Sequence, residues 1–173
     1  MSNIPEKLVA FEAYLSGETL LGVVDAEITD ITFLSEELRG AGIAGAIKSI
    51  TLGHVEPMEA KIKFRVKTSQ SYKLLAPAAH MLELRASKQS RTVGGALVTS
   101  PERVVLQGTP AGIPGGKYEA GKAMDNEFTF SVTYLKMVEN GVDMLEIDQL
   151  GYKFVVDGVD YLAGVRADLG REG

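Results

Sequence analysis

Between Met58 and Lys67 the chain alternates strictly, with Met58, Ala60, Ile62, Phe64 and Val66 on one side and Glu59, Lys61, Lys63, Arg65 and Lys67 on the other. A period of two sends successive side chains to opposite faces of a strand, so this run predicts a strand with one buried and one wet face. The stretch Glu127 to Tyr134 repeats the pattern: Phe128, Phe130, Val132 and Tyr134 face the core, against Glu127, Thr129, Ser131 and Thr133. Half-wet strands of this kind belong to antiparallel sheets. Further strands are predicted at Val9–Leu15, Leu20–Thr32, Leu82–Ser90, Gly95–Thr99 with Arg103–Gln107, and Met144–Asp148, separated by Gly, Pro, Asn and Asp. Asn140-Gly141 is the sharpest turn signal, because both residues tolerate positive φ. Helix is scarce. Ser69–Ala76 predicts a short helix stopped by Pro77, and Gly158–Arg166 a helical turn or two ending by Gly170. The run Gly108–Gly116 reads as a long exposed connection.

Composition narrows the functional classes. A chain of 173 residues fits one domain, 1–173, and 45% hydrophobic with 24% charged residues is ordinary globular usage. The net charge of −5 argues against a general phosphate-neutralising surface. Absence of cysteine excludes disulfides and thiolate metal sites. The opening residues carry no basic-then-apolar leader and no apolar run reaches the roughly 20 residues that span a bilayer, so export through a standard signal is not expected.

Few constellations could carry chemistry. Gly40-Ala-Gly-Ile-Ala-Gly45 matches the dinucleotide fingerprint literally, but that motif must sit between a parallel strand and a helix, and here a β-prone run, Ile47–Leu52, follows. Lys48-Ser49 nearly completes a phosphate-binding loop, yet Ile47 stands where glycine is required. His54 and His80 are too far apart to form a helical metal pair. The acids Asp25, Glu27 and Asp30 and the stripe Lys61, Lys63, Arg65 and Lys67 read as solvated faces or polar subunit contacts. No catalytic residue, cofactor or metal site is assigned. Charge is segregated: Glu18, Asp25, Glu27, Asp30, Glu36 and Glu37 form a run without a base, opposite in sign to Lys61–Lys67. That suits a chain meeting copies of itself head to tail.

Several blocks resemble the major tail tube proteins of contractile myophages and R-type pyocins. They are the strand from Phe128 to Lys136, the turn Glu139-Asn-Gly, Leu145-Glu-Ile-Asp148, and Val156-Asp-Gly-Val-Asp-Tyr-Leu-Ala-Gly-Val-Arg-Ala-Asp-Leu-Gly170. Leu38-Arg-Gly-Ala-Gly-Ile resembles a loop of that family, with Leu38, Ala41 and Ile43 departing from its pattern, and Leu52–Lys61 resembles the strand after it. The resemblance implies a mainly β fold: two packed antiparallel sheets, sandwich or barrel-like, with one short helix, continuing into a ring β-barrel on oligomerisation. It implies a non-enzymatic subunit of hexameric rings stacked into a tube that conducts DNA or depolarises a membrane. Sheath, baseplate and tail terminator proteins would be its partners, with DNA or an effector passing the lumen. The particle, a virion tail or phage-tail-like assembly, would be built in the host bacterial cytoplasm. The alternatives are a type VI secretion or other injection tube, a small nucleotide-binding enzyme using Gly40–Gly45, and a carbohydrate-binding module, disfavoured by the absence of tryptophan. The resemblance and the glycine content together suggest an assembly arm at 38–49, with Leu38, Arg39, Gly40, Gly42, Ile43, Gly45 and Lys48 at a subunit interface and Ile43 its apolar anchor. Glu127, Thr129, Ser131 and Thr133 are candidates for the lumen wall.

Overall fold

The computed structural model describes residues 3–22 and 25–171. The chain runs through β1 (Ile4–Leu15), β2 (Thr19–Leu20), β3 (Asp25–Ile28), β4 (Phe33–Arg39), β5 (Ala46–Val55), β6 (Met58–Phe64), α1 (Ser69–Lys73), β7 (His80–Arg91), β8 (Leu97–Pro110), β9 (Asn126–Glu139), β10 (Val142–Asp148), β11 (Lys153–Val156), β12 (Val159–Asp160) and α2 (Ala163–Asp168). Ten strands form one antiparallel sheet in the order β12-β11-β10-β9-β8-β7-β1-β2, with β6 and β3 branching from β9, and β4 and β5 form a second sheet. The expected mainly β, two-sheet class is what the chain adopts. Within the subunit the large sheet is open, since its order ends at β12 and β2 without a closing pair.

The two strongest periodic runs build the centre. Met58, Ala60, Ile62 and Phe64 of β6 are buried, and β6 pairs with β9 from Met58↔Val132 to Phe64↔Asn126. Phe128, Phe130 and Val132 of β9 share that core, where Phe64 and Phe128 meet edge to face at 5.1 Å. Such a contact adds about 0.5–1.5 kcal/mol to the burial of the rings. Val66 departs from the expected pattern: β6 ends at Phe64 and Val66 is exposed.

Past Val132 the burial rhythm of β9 slips by one. The next buried residue is Leu135, so Tyr134 leaves the core. The cause is a β-bulge: Gln107 pairs with Tyr134 but Gly108 with Val132, leaving Thr133 as the extra residue. The bulge marks where β9 exchanges neighbours. Residues 126–132 pair with β6, residues 134–139 pair with β10, and the Gln149 N–H donates to the Thr133 carbonyl at the junction. Gly108 makes the approach possible, because a Cβ there would lie 2.8 Å from the Ser131 carbonyl oxygen.

Other boundaries have local reasons. β8 runs as one strand through Pro101 where two were expected, since pairing with β9 begins only at Glu102. Asn140 (φ 50°) and Gly141 (φ 79°) form the expected tight turn between β9 and β10. Thr68 caps α1 in a capping box with Ser71, and the helix stops ahead of Pro77. The predicted strand Leu20–Thr32 is replaced by β2 and β3; Val23 and Val24 lie outside the described residues. Of the run Gly108–Gly116, expected as a long exposed connection, Gly108–Pro110 belong to β8, and the segment 111–125 that follows is fastened at several points: Lys67 Nζ donates to the carbonyls of Pro114 (2.8 Å) and Gly115 (3.0 Å), and Met124 N–H to Arg65 O (2.8 Å).

Gly108→Ala must displace backbone, so urea denaturation is expected to show a loss of about 1–3 kcal/mol. Gly40→Ala, with nothing within 4 Å of the new methyl, is expected to change stability by less than about 0.5 kcal/mol.

Candidate assembly surfaces

The hairpin of β4 and β5 is the least supported part of the fold. Its strands pair from Ser35↔Ile50 to Arg39↔Ala46, and every residue from Leu34 to Ala41 is exposed. Leu34, Leu38 and Ile47 stand on one face with Glu36 and Ser49, and Leu38 and Ile47 remain 42% and 49% exposed. On the other face Glu37 lies opposite Lys48 and pairs with Arg39. A two-stranded sheet bare on both faces is marginal in water, so this hairpin depends on its root and on whatever covers its apolar residues.

The root is well made. Phe33 packs on Phe154 of β11 at 5.4 Å, Val55 is buried, and Glu56 N–H donates to Thr32 O. Gly53 (φ 64°) lets the buried Leu162 pack where a Cβ would sit 2.6 Å from its Cγ. Arg166 holds the segment after Leu162 by bonding Tyr152 O (2.8 Å) and Asp160 (2.7 Å). Sequence reasoning missed this root because Phe33, Gly53, Phe154 and Leu162 are far apart along the chain. The run Ile47–Leu52 had marked β5 as a strand, and its apolar residues, exposed on a hairpin, are the signal that was available.

The expected interface residues fall on this hairpin. Leu38 and Arg39 end β4, Gly40, Gly42, Ile43 and Gly45 form the connection, and Lys48 lies in β5. Ile43 is half-buried, so Leu38 and Ile47 are the more available apolar side chains. Because the glycine loop joins two antiparallel strands, no helix follows it, and the dinucleotide and phosphate-loop alternatives lose the element they need. His54 packs edge-on to Tyr152 at 6.0 Å and His80 Nε2 lies 3.0 Å from Ala76 O, each in a packing role. Among the described residues no group of three metal-ligating side chains converges.

Part of the segregated charge is brought together within the chain. β3 pairs with β6 so that Asp25 faces Lys63 and Glu27 faces Lys61. Such opposite-charge cross-strand pairs contribute roughly 0.2–1 kcal/mol each. Glu127, Thr129 and Ser131 lie beside them, opposite Lys63, Lys61 and Glu59, while Thr133 sits apart at the bulge. The lumen candidates therefore do not form one continuous strand face.

Farther along the sheet, the face away from the core is polar and ion-paired. Arg85 binds the buried Glu83 (2.6 Å) and lies over the Tyr14 ring, Lys136 meets Asp143 (2.7 Å), and Lys153 and Tyr134 both reach Glu146. Burial, with the neighbouring Glu146 carboxylate, pushes the Tyr134 phenol up to about 12. A free strand edge adds a second surface. From Ile4 to Glu12, β1 pairs only with β7 among the described residues, with Ile4, Leu8 and Val9 exposed.

The sequence matches the family described as phage tail tube protein FII over residues 5–170. The chain belongs to that family. No curated protein matches it. Among solved structures, it resembles a chain of the extracellular contractile injection system PVC sheath–tube complex in its extended state, with TM-score 0.51 and 13% identity over 74% of this chain and 87% of that one. At that identity the likeness speaks for the fold. Family membership makes this tail tube protein a structural component of a virion tail or phage-tail-like particle rather than an enzyme.

Tyr134 is neutral in its preferred folded form, so its contribution to stability is complete below its ordinary pKa of 10.0 and is lost as pH rises toward about 12. Absorbance titration of the six tyrosines should show a late ionisation near that pH. Tyr134→Phe should remove that step.

Proposed function

We propose that the tail tube protein is the repeating subunit of a contractile tail, stacking as hexameric rings into a hollow cylinder that conducts DNA or depolarises a target membrane. The observation that carries this reading is the β4–β5 hairpin: a well-rooted, two-stranded projection with apolar residues on both faces that the subunit itself leaves uncovered. In this reading the segment 38–49 is an assembly arm, and its glycines make ordering costly, about 1–2 kcal/mol per residue, until subunit contacts offset it. The free edge of β1 supports ring closure. An unpaired edge invites pairing with another chain, and closing edges around a ring joins open sheets into a β-barrel. The internally paired charges suit a wall past which a polyanion slides, since unneutralised Lys and Arg would hold phosphates.

Sheath, baseplate and tail terminator proteins are the partners this role requires, with assembly in the host bacterial cytoplasm before the particle is complete. A second reading, the tube of an injection system carrying an effector, is favoured by the fold shared with the PVC complex. Both readings use the same assembly surfaces and differ in cargo.

Leu38→Asp and Ile47→Asp test the arm. Each places a carboxylate where water is excluded on assembly, at a cost of several kcal/mol, while the free subunit keeps it solvated. Circular dichroism and thermal melting are expected to match the unmodified protein, while negative-stain microscopy with baseplate partners shows tubes only for the latter. Normal tubes from both variants would place the hairpin outside the interface.

A further inference from the structure

Opposite chemistry stands on a second exposed surface of the same chain. Val66 follows the end of β6, and Ile113 and Tyr118 rise from the segment 111–125, where they are 69% and 79% exposed. Three bases accompany them, Arg65, Lys117 and Lys122, with Glu119 held between the two lysines. The hydrogen bonds of Lys67 to Pro114 and Gly115, of Met124 to Arg65 and of Lys117 to Met124 tie the segment that carries Ile113 and Tyr118 to the residues on either side of Val66. Gly116 presses against the buried Asn126, where a Cβ would come within 2.2 Å of Oδ1. This exposed surface is therefore preorganised, and its composition of a tyrosine and aliphatic side chains among bases is that of a recognition patch.

The hairpin supplies the complement: an apolar row of Leu34, Leu38 and Ile47 with the acid Glu36 in its middle. Among the strands and helices its strands contact chiefly β11 apart from each other, and Leu34, Leu38 and Ile47 remain exposed. A contact between two different surfaces of one chain, here an acid among apolar residues on one and bases among apolar residues on the other, is heterologous and propagates from copy to copy rather than closing a dimer.

We propose that the patch around Val66, Ile113 and Tyr118 is the receptor for the β4–β5 hairpin of a second copy, with Glu36 of the arriving hairpin directed at the bases. The inference rests on the reading of the hairpin as an assembly arm and adds the surface on which the arm docks. The chain lacks cysteine, so a pair of introduced thiols reports this contact without background.

The test combines crosslinking with charge reversal in the full chain. Leu38→Cys with Tyr118→Cys is expected to give ladders of disulfide-linked subunits on oxidation of assembled tubes, with neither single variant extending past a dimer. Glu36→Lys alone, and Arg65→Glu with Lys117→Glu, are each expected to raise the concentration needed for assembly by about tenfold or more, as for truncated buried charge pairs. Combining the three substitutions should restore much of the loss. Tubes that form without any Leu38–Tyr118 crosslink, or patch reversals that assemble normally, overturn the receptor assignment and leave the tube reading standing. If a patch reversal fails to fold, the crosslink decides. Failure of the unmodified protein to form tubes with its partners would instead overturn the tube reading itself.

Discussion

The close passage of β8 past β9 at Gly108 and Thr133 governs the rest of the molecule. One extra residue in β9, opposite a glycine whose missing Cβ lets the strands touch, lets a single strand serve two sets of neighbours. On one side of the bulge β9 lies against β6 and carries Phe128 and Phe130 inward, and on the other it lies against β10 and carries Leu135 inward. Without the bulge, strict alternation would send Leu135 to the wet face and Tyr134 to the core, because a slip of one residue reverses every side chain beyond it. The branch also explains how β3 and β6, early in the sequence, join a sheet otherwise made from its two ends.

A core organised in this way leaves the hairpin outside it. Phe33, Val55 and Leu162 anchor its base, and beyond that anchor Leu34, Leu38 and Ile47 stay exposed. A monomer optimised for solubility would not display Leu34, Leu38, Ile47, Ile50 and Leu52 on such a projection. In the proposed tube, that exposure is covered by neighbouring copies of the chain. About half of the Lys and Arg side chains, among them Arg85, Lys88, Lys136 and Arg166, find acidic partners within the chain, while Glu36 and Arg65 have none among the described residues.

Much of this was legible in the sequence. The alternation of Met58–Phe64 and of Glu127–Val132, the Asn140-Gly141 turn and the short helix before Pro77 follow from residue types a few positions apart, whose preferences act locally. The β-prone run after the glycine-rich stretch likewise pointed away from a cofactor loop, and the family blocks pointed to the tail tube family.

What the tertiary structure decided lies in contacts between distant residues. The fate of Tyr134 depended on a bulge set by Gly108, the placing of Asp25 and Glu27 opposite Lys63 and Lys61 on the pairing of β3 with β6, and the footing of the hairpin on Leu162 filling the space above Gly53. Periodicity assigns a residue to a face of its own strand, but it cannot say which other strand will lie beside that face or what will cover it. In an antiparallel sheet those neighbours come from remote parts of the chain, so sequence alone determined the strands and the tertiary structure alone decided what each of them meets.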